Sequence, residues 1–104
     1  MKLVYISSSN IEGNGIFAME NFKEKDIIGV SHVIYDDIWY AVYPLGVYYN
    51  HSINSNCRVE TKDNVNLVLA KRDIFVDEEL TVDYSKQLYL EQPKGYWKWN
   101  LKII

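Results

Sequence analysis

The sequence predicts a single, mainly β domain, and three observations support this prediction. Short segments rich in β-branched and aromatic residues recur along the 104 residues. Turn-forming clusters of Gly, Asn, Asp and Ser separate these segments. No window has the apolar spacing of an amphipathic helix longer than about two turns. The predicted strands are residues 3–6, 16–19, 27–33, 58–62, 67–71 and 80–84.

Two of the turns between these strands bear on function. Residues 12–15 read Glu-Gly-Asn-Gly and precede a predicted strand. A phosphate-binding loop needs a helix after its glycines, so this context argues against one. Two interpretations stay open: a simple turn, or a close approach of the backbone to a ligand. Residues 63–66 are predicted to close a hairpin between 58–62 and 67–71.

The segment 50–57, Asn-His-Ser-Ile-Asn-Ser-Asn-Cys, is the least strand-like part of the chain. Its polar side chains offer many donors and acceptors, which water would satisfy in a solvated loop. In the interior each would need a partner, as a buried network or a ligand site. Composition leaves both interpretations open.

Charge and cysteine content narrow the function classes. A net charge of −3 argues against direct nucleic-acid binding and suits a basic partner better. No apolar segment reaches the length of a membrane span, and residues 1–5 lack the pattern of a secretion signal. One cysteine excludes an internal disulfide and fits a cytoplasmic location, or the host cell interior if the source is viral. His32, His51 and Cys57 lack the spacing of a zinc site, so we expect no metal.

Three motifs in order resemble the SET domain, the fold of many S-adenosylmethionine-dependent protein-lysine methyltransferases. They are Gly-Asn-Gly-Ile-Phe-Ala at 13–18, Asn-His-Ser-x-x-x-Asn-Cys at 50–57 and Asp-Glu-Glu-Leu-Thr-Val-Asp-Tyr at 77–84. Residues 45–52 look especially like the compact SET proteins of bacteria and viruses. The resemblance implies a β-clip fold with a C-terminal pseudoknot that joins 50–57 to 79–84. It also implies one SET domain over 1–104, in which 85–104 form an aromatic C-terminal tail.

The resemblance implies a role for individual residues as well. Tyr84 matches the catalytic tyrosine, and Tyr40, Tyr48 and Tyr49 are candidates for the substrate channel, although a core role for Tyr40 fits equally well. In the tail, Trp97 either covers the cofactor or caps the core or another subunit. The residues implied in binding S-adenosylmethionine are Gly13, Asn14, Gly15, Asn50, His51, Tyr84 and Trp97.

Some departures from the family pattern leave two functions open. The segment 33–45 is short where the family usually has a longer insert, and Asp26 and Asp77 stand where turn glycines are usual. One function is lysine methylation of a basic protein substrate. The other is a catalytically inactive SET-like module that binds a protein. The aromatic tail could also pair with a second copy of the chain, so a homodimer is a further expectation.

Overall fold

The computed structural model describes residues 3–86 and 102–103, and it confirms the mainly β prediction. The strands form a two-stranded sheet β1–β2, a five-stranded sheet in the order β6-β7-β3-β4-β9, and a two-stranded sheet β5–β8. One short helix, α1, spans Leu45–Tyr48, and a 3₁₀ turn spans Tyr84–Lys86. The strands are β1 (Val4–Ser8), β2 (Asn14–Ala18), β3 (Ile27–Tyr35), β4 (Ile38–Ala41), β5 (Asn50–His51), β6 (Cys57–Lys62), β7 (Val65–Ala70), β8 (Thr81–Val82) and β9 (Lys102–Ile103).

Two tight hairpins build the five-stranded sheet. Asp63 and Asn64 connect β6 to β7, and Asp36 and Asp37 connect β3 to β4. All four residues have positive φ, between 51° and 66°, which two-residue hairpin turns of type I′ require and which Asp and Asn tolerate. The hairpin predicted at 63–66 is therefore confirmed, with strand ends shifted by one or two residues. The β3–β4 hairpin was not predicted, and it occupies the short segment after Val33.

Helix α1 packs directly on β3. Leu45 is buried in the core, and Gly46 lies so close to β3 that an added Cβ would overlap the Ser31 carbonyl oxygen. The helix connects β4 to β5, which begins at Asn50. A glycine at position 46 thus permits the close contact between the backbones of α1 and β3, and this contact sets the position of β5.

The crossing of two distant segments is the feature that positions the site. Strands β5 and β8 pair in parallel, Asn50 with Thr81 and His51 with Val82. Asn56 ties the same segments together: its Nδ2 donates to the Glu79 carbonyl (2.8 Å), and its Oδ1 accepts from the Thr81 backbone N–H (2.9 Å). Residues 50–57 thus run beside residues 79–84, as the pseudoknot requires.

Two local details differ from expectation. The last predicted strand, 80–84, ends at Val82, because the Asp83 carboxylate accepts from the Ser85 backbone N–H and hydroxyl and begins the 3₁₀ turn (3.0 and 2.6 Å). Of the two aspartates expected at glycine-like turns, Asp77 has φ of 72°. At the other turn the residue with positive φ is Lys25 (77°), next to Asp26.

Among residues 3–86, one cluster of buried side chains lies beneath these elements. Within the described part of the chain no helix is long and apolar enough to cross a membrane. The cluster links the β1–β2 hairpin, α1, the large sheet and the crossing, so the site rests on the core itself. Its members are Ile16, Ala18, Phe22, Ile28, Leu45, Tyr49, Cys57, Val68, Ala70, Ile74, Leu80 and Val82.

Candidate active site

The glycine turn lies against Glu79, and its two glycines serve different purposes. Gly13 has φ of +49°, and a Cβ there would meet no atom within 4 Å, so its backbone faces open space. Gly15 is buried, and a Cβ there would overlap a carboxylate oxygen of Glu79. Asn14 between them is exposed and pairs with Ser8 across the hairpin. The turn therefore offers open backbone at one glycine and close approach at the other.

Asn50 links the crossing to this turn. Its Nδ2 donates to Glu79 Oε2 at 2.8 Å, to Ser9 Oγ at 3.1 Å and to the Glu12 carbonyl at 3.3 Å. The Ser9 hydroxyl lies 2.8 Å from both carboxylate oxygens of Glu79. The structure thus brings together the glycine turn and Asn50, which the sequence analysis had placed on one ligand.

Sequence reasoning missed Ser9 and Glu79, although both are central to this network. Ser9 lies in a run of three serines that reads as a turn, and Glu79 lies in an acidic run that also reads as a turn. Their contact spans 70 residues of sequence. The one available indication was that Glu79 belongs to the third motif, in which only Tyr84 was given a role.

His51 lies beside Tyr84 at the end of the crossing. The His51 Nδ1 accepts a hydrogen bond from the Tyr84 backbone N–H at 3.0 Å, and the two rings lie 5.1 Å apart. A nitrogen that accepts carries no hydrogen, so in the neutral ring the proton is on Nε2. The Asp83 carboxylate is 3.9 Å from Nδ1, too far for a hydrogen bond. His51 is exposed, and its second ring nitrogen, Nε2, is then a hydrogen-bond donor.

The Tyr84 hydroxyl is fixed by a backbone carbonyl. It donates to the carbonyl oxygen of Tyr49 at 2.9 Å. Burial, and then the negative charge of Glu12, raise the pKa of Tyr84 to about 12. The phenol is therefore protonated at neutral pH, and its proton is directed at a known acceptor.

The three channel candidates lie in different surroundings. Tyr49 is buried, and its ring lies 6.0 Å from that of Tyr84. Tyr48 is half-buried and packs edge-on against Tyr43 at 5.9 Å, and Tyr40 lies on β4 opposite Val33. The structure therefore brings Tyr49 to Tyr84, and channel roles for all three stay predictions. Trp97 lies outside the described residues.

Cys57 lies in the core. It is 1% exposed, and burial raises the pKa of its thiol to about 12, so it is not a nucleophile at neutral pH. Its thiol donates to Asn56 Oδ1 at 3.4 Å. Within residues 3–86 and 102–103 no group of three or more His, Cys, Asp and Glu residues could hold a metal ion. Asn50, His51 and Tyr84 are the predicted site residues that the structure brings together at the crossing.

Comparison with known proteins agrees with this arrangement. Residues 39–85, which contain the crossing and Tyr84, match the SET domain family. SET6 of Saccharomyces cerevisiae, a potential protein lysine methyltransferase, is 42% identical over 55 residues. That alignment covers 53% of this chain and only 15% of SET6, so the chain spans a small part of its curated relative.

Solved structures share the fold over most of the chain. The crystal structure of a proposed histone methyltransferase from Plasmodium falciparum has a TM-score of 0.68 at 25% identity, with 81% of this chain and 94% of that chain covered. A mutant Chaetomium thermophilum Polycomb Repressive Complex 2, bound to the inhibitor GSK126, has a TM-score of 0.67 at 21% identity. This match covers 82% of the chain described here and 15% of the Chaetomium thermophilum chain. The chain therefore has the fold of the SET domain, and the family match itself covers residues 39–85.

Proposed function

We propose that this SET domain is an S-adenosylmethionine-dependent protein-lysine N-methyltransferase. The observation that carries the proposal is the convergence of Asn50, His51 and Tyr84 on one chain crossing beside the glycine turn. These residues lie 34 positions apart at most, yet the parallel β5–β8 pair places them side by side. The resemblance of these motifs to the SET domain implies that they bind the cofactor and orient the reacting amine.

The residues present suit this cofactor. When bound, S-adenosylmethionine supplies a methyl group already activated by its sulfonium. The open backbone at Gly13 and the adjoining Asn14 and Gly15 would receive its methionine part. Asn50 would bind the amino acid group, and the Nε2 donor of the exposed His51 suits an acceptor of the adenine part. Each feature is complementary to one part of the cofactor.

Tyr84 acts by orientation and electrostatics. A phenol with a pKa of about 12 holds about one part in 10⁵ of phenolate at pH 7, too little for an efficient general base. Its proton is donated to the Tyr49 carbonyl, so its oxygen lone pairs point away from that carbonyl. An oxygen dipole fixed in this way stabilises positive charge that develops near the target amine. The amine loses its proton by another route, which desolvation assists by lowering the lysine pKa from its usual value of about 10.4.

The substrate we propose is a lysine-bearing segment of a basic protein. The net charge of −3 favours attraction to such a partner over nucleic acid. A cytoplasmic location, or the interior of a host cell, and a homodimer formed through the tail complete the proposal, and both require direct tests.

The test combines calorimetry with methyl transfer. We expect saturable binding of S-adenosylmethionine and of S-adenosylhomocysteine at one site per chain. We then expect mass spectrometry to find methylated lysine in a mixture of basic peptides. Failure to bind either cofactor at high micromolar concentration would contradict the proposal. Binding without transfer to any peptide or host protein would favour the inactive binding module instead.

A further inference from the structure

We infer that Glu79 is a positioning residue that fixes the side-chain amide of Asn50, so that Asn50 presents its oxygen to the ammonium group of the cofactor. The inference rests on the proposed function and extends it to Glu79 and Ser9. It follows from the network of hydrogen bonds around one amide group.

All three neighbours of Asn50 Nδ2 are acceptors. They are Glu79 Oε2 (2.8 Å), Ser9 Oγ (3.1 Å) and the Glu12 carbonyl oxygen (3.3 Å). A carboxylate and a carbonyl only accept hydrogen bonds. If the amide were reversed, its oxygen would face the Glu79 and Glu12 oxygens at these distances, without a proton between them. The amide therefore has one orientation.

This orientation determines what Asn50 offers to a ligand. With Nδ2 directed at Glu79, the amide oxygen Oδ1 points to the other side, and within the described part of the chain no hydrogen bond reaches it. Oδ1 is an acceptor, so it is complementary to a cation with N–H donors, such as the ammonium of an amino acid. The negative charge of Glu79 behind the amide strengthens the preference for a cation.

The surroundings hold Glu79 in place. The Ser9 hydroxyl lies 2.8 Å from both of its carboxylate oxygens, and the Ile11 backbone N–H donates to Ser9 Oγ at 2.9 Å. The space for the carboxylate exists because position 15 has no side chain: a Cβ on Gly15 would overlap Glu79 Oε2. Gly15, the second glycine of the turn, thus leaves space for the Glu79 carboxylate. Its effect on the ligand is indirect, because Glu79 in turn positions Asn50.

The test compares two ligands that differ in one group. S-adenosylhomocysteine carries the α-amino group, and its desamino analogue carries hydrogen there. Calorimetry would measure the dissociation constants of both ligands for the wild-type protein, Glu79→Gln and Glu60→Gln. Glu60 is an exposed glutamate paired with Arg58, so Glu60→Gln is the matched control for loss of one carboxylate charge.

We expect the wild-type protein and Glu60→Gln to prefer S-adenosylhomocysteine over the desamino analogue by about tenfold or more, the effect of one charge-assisted hydrogen bond. Glu79→Gln offers the Asn50 amide a donor as well as an acceptor, so the amide can reverse. This variant should lose most of that preference, while its affinity for the analogue changes less than about twofold. In turnover, KM for S-adenosylmethionine should rise while kcat at saturation is retained.

Other outcomes separate the inference from the proposed function. If Glu79→Gln weakens both ligands equally, or neither, Glu79 has no positioning role and the inference is overturned while the cofactor site stands. If the wild-type protein binds neither ligand, the proposed function fails and the inference falls with it. If Glu79→Gln does not fold, Ser9→Ala replaces it, because this variant removes the hydroxyl that holds Glu79. A partial loss of the preference would support the inference, and an unchanged preference would overturn it.

Discussion

His32 is a buried titratable residue that lies beneath the site. Its side chain is 1% exposed, and burial lowers its pKa from 6.5 to about 4. The Nδ1 atom lies 3.0 Å from the Ser31 hydroxyl, and the ring lies 6.1 Å from that of Tyr49, whose carbonyl binds Tyr84. A neutral His32 is therefore part of the packing beneath the site.

We predict that His32 destabilises the fold as the pH falls. Its folded pKa is lower than its unfolded value, so between pH 6.5 and 4 the unfolded chain binds a proton that the folded chain does not. The contribution of neutral His32 to the free energy of unfolding is fully present above pH 6.5. It is lost as the pH falls toward 4, by up to about 3 kcal/mol. Urea unfolding at several pH values should show a shallower loss in His32→Gln, because the remaining groups are common to both proteins. Parallel curves for the two proteins would contradict this prediction.

At the scale of residues, the resemblance to a family predicted the motif positions better than it predicted their partners. Asn50, His51 and Tyr84 lie together as the resemblance implies, because each belongs to a motif that can be recognised locally, although the two motifs are far apart in sequence. Glu79 and Ser9 were missed because a contact across 70 residues has no local pattern. The channel residues stayed ambiguous because this chain has nine tyrosines, and only ring positions distinguish them.

At the scale of elements, the chain crossing is held by very few strand hydrogen bonds. Strands β5 and β8 have two residues each, and two strands this short cannot form a stable sheet alone. Asn56 adds the missing contacts: it is 3% exposed, and its amide binds the Glu79 carbonyl and the Thr81 backbone N–H. One asparagine side chain thus takes the place of a longer strand.

We predict that Asn56→Asp lowers the free energy of unfolding by about 2–4 kcal/mol, because a carboxylate oxygen would replace the amide donor beside the Glu79 carbonyl in the interior. The matched control is Asn54→Asp, the same change at an exposed side chain two positions earlier, which should cost no more than about 0.5 kcal/mol. Urea titration followed by circular dichroism measures both. Equal effects of the two substitutions would refute the role given to Asn56.

Turn chemistry explains which elements the sequence could predict. The Asp63-Asn64 hairpin was predicted because both residues favour the conformation it needs, and Asp36-Asp37 satisfies the same rule. The second hairpin was missed because no strand was predicted directly after residue 33, so Asp36-Asp37 had no second strand to connect. The end of the last strand was misplaced because the Asp83 cap is a side-chain interaction, which strand periodicity does not contain.

At the level of the whole molecule, this chain covers very different shares of the proteins that it resembles. It covers 94% of the Plasmodium falciparum chain but 15% of SET6. The fold and the crossing are thus contained in these residues, whereas SET6 has much additional sequence. The proposed lysine-bearing substrate therefore has to be tested with whole proteins as well as peptides.

The variant Tyr84→Phe tests whether Tyr84 directs methyl transfer at the crossing. The variant removes the hydroxyl that donates to the Tyr49 carbonyl and leaves the ring that packs beside His51. The control is Tyr35→Phe, the same change at a tyrosine that is 74% exposed. The measurement is the rate of methyl transfer to a basic peptide mixture at saturating S-adenosylmethionine, with cofactor affinity determined in parallel. We predict that Tyr84→Phe binds the cofactor within about threefold of wild type and loses about 100-fold or more in rate, while Tyr35→Phe is unchanged. A full rate in Tyr84→Phe would contradict the account.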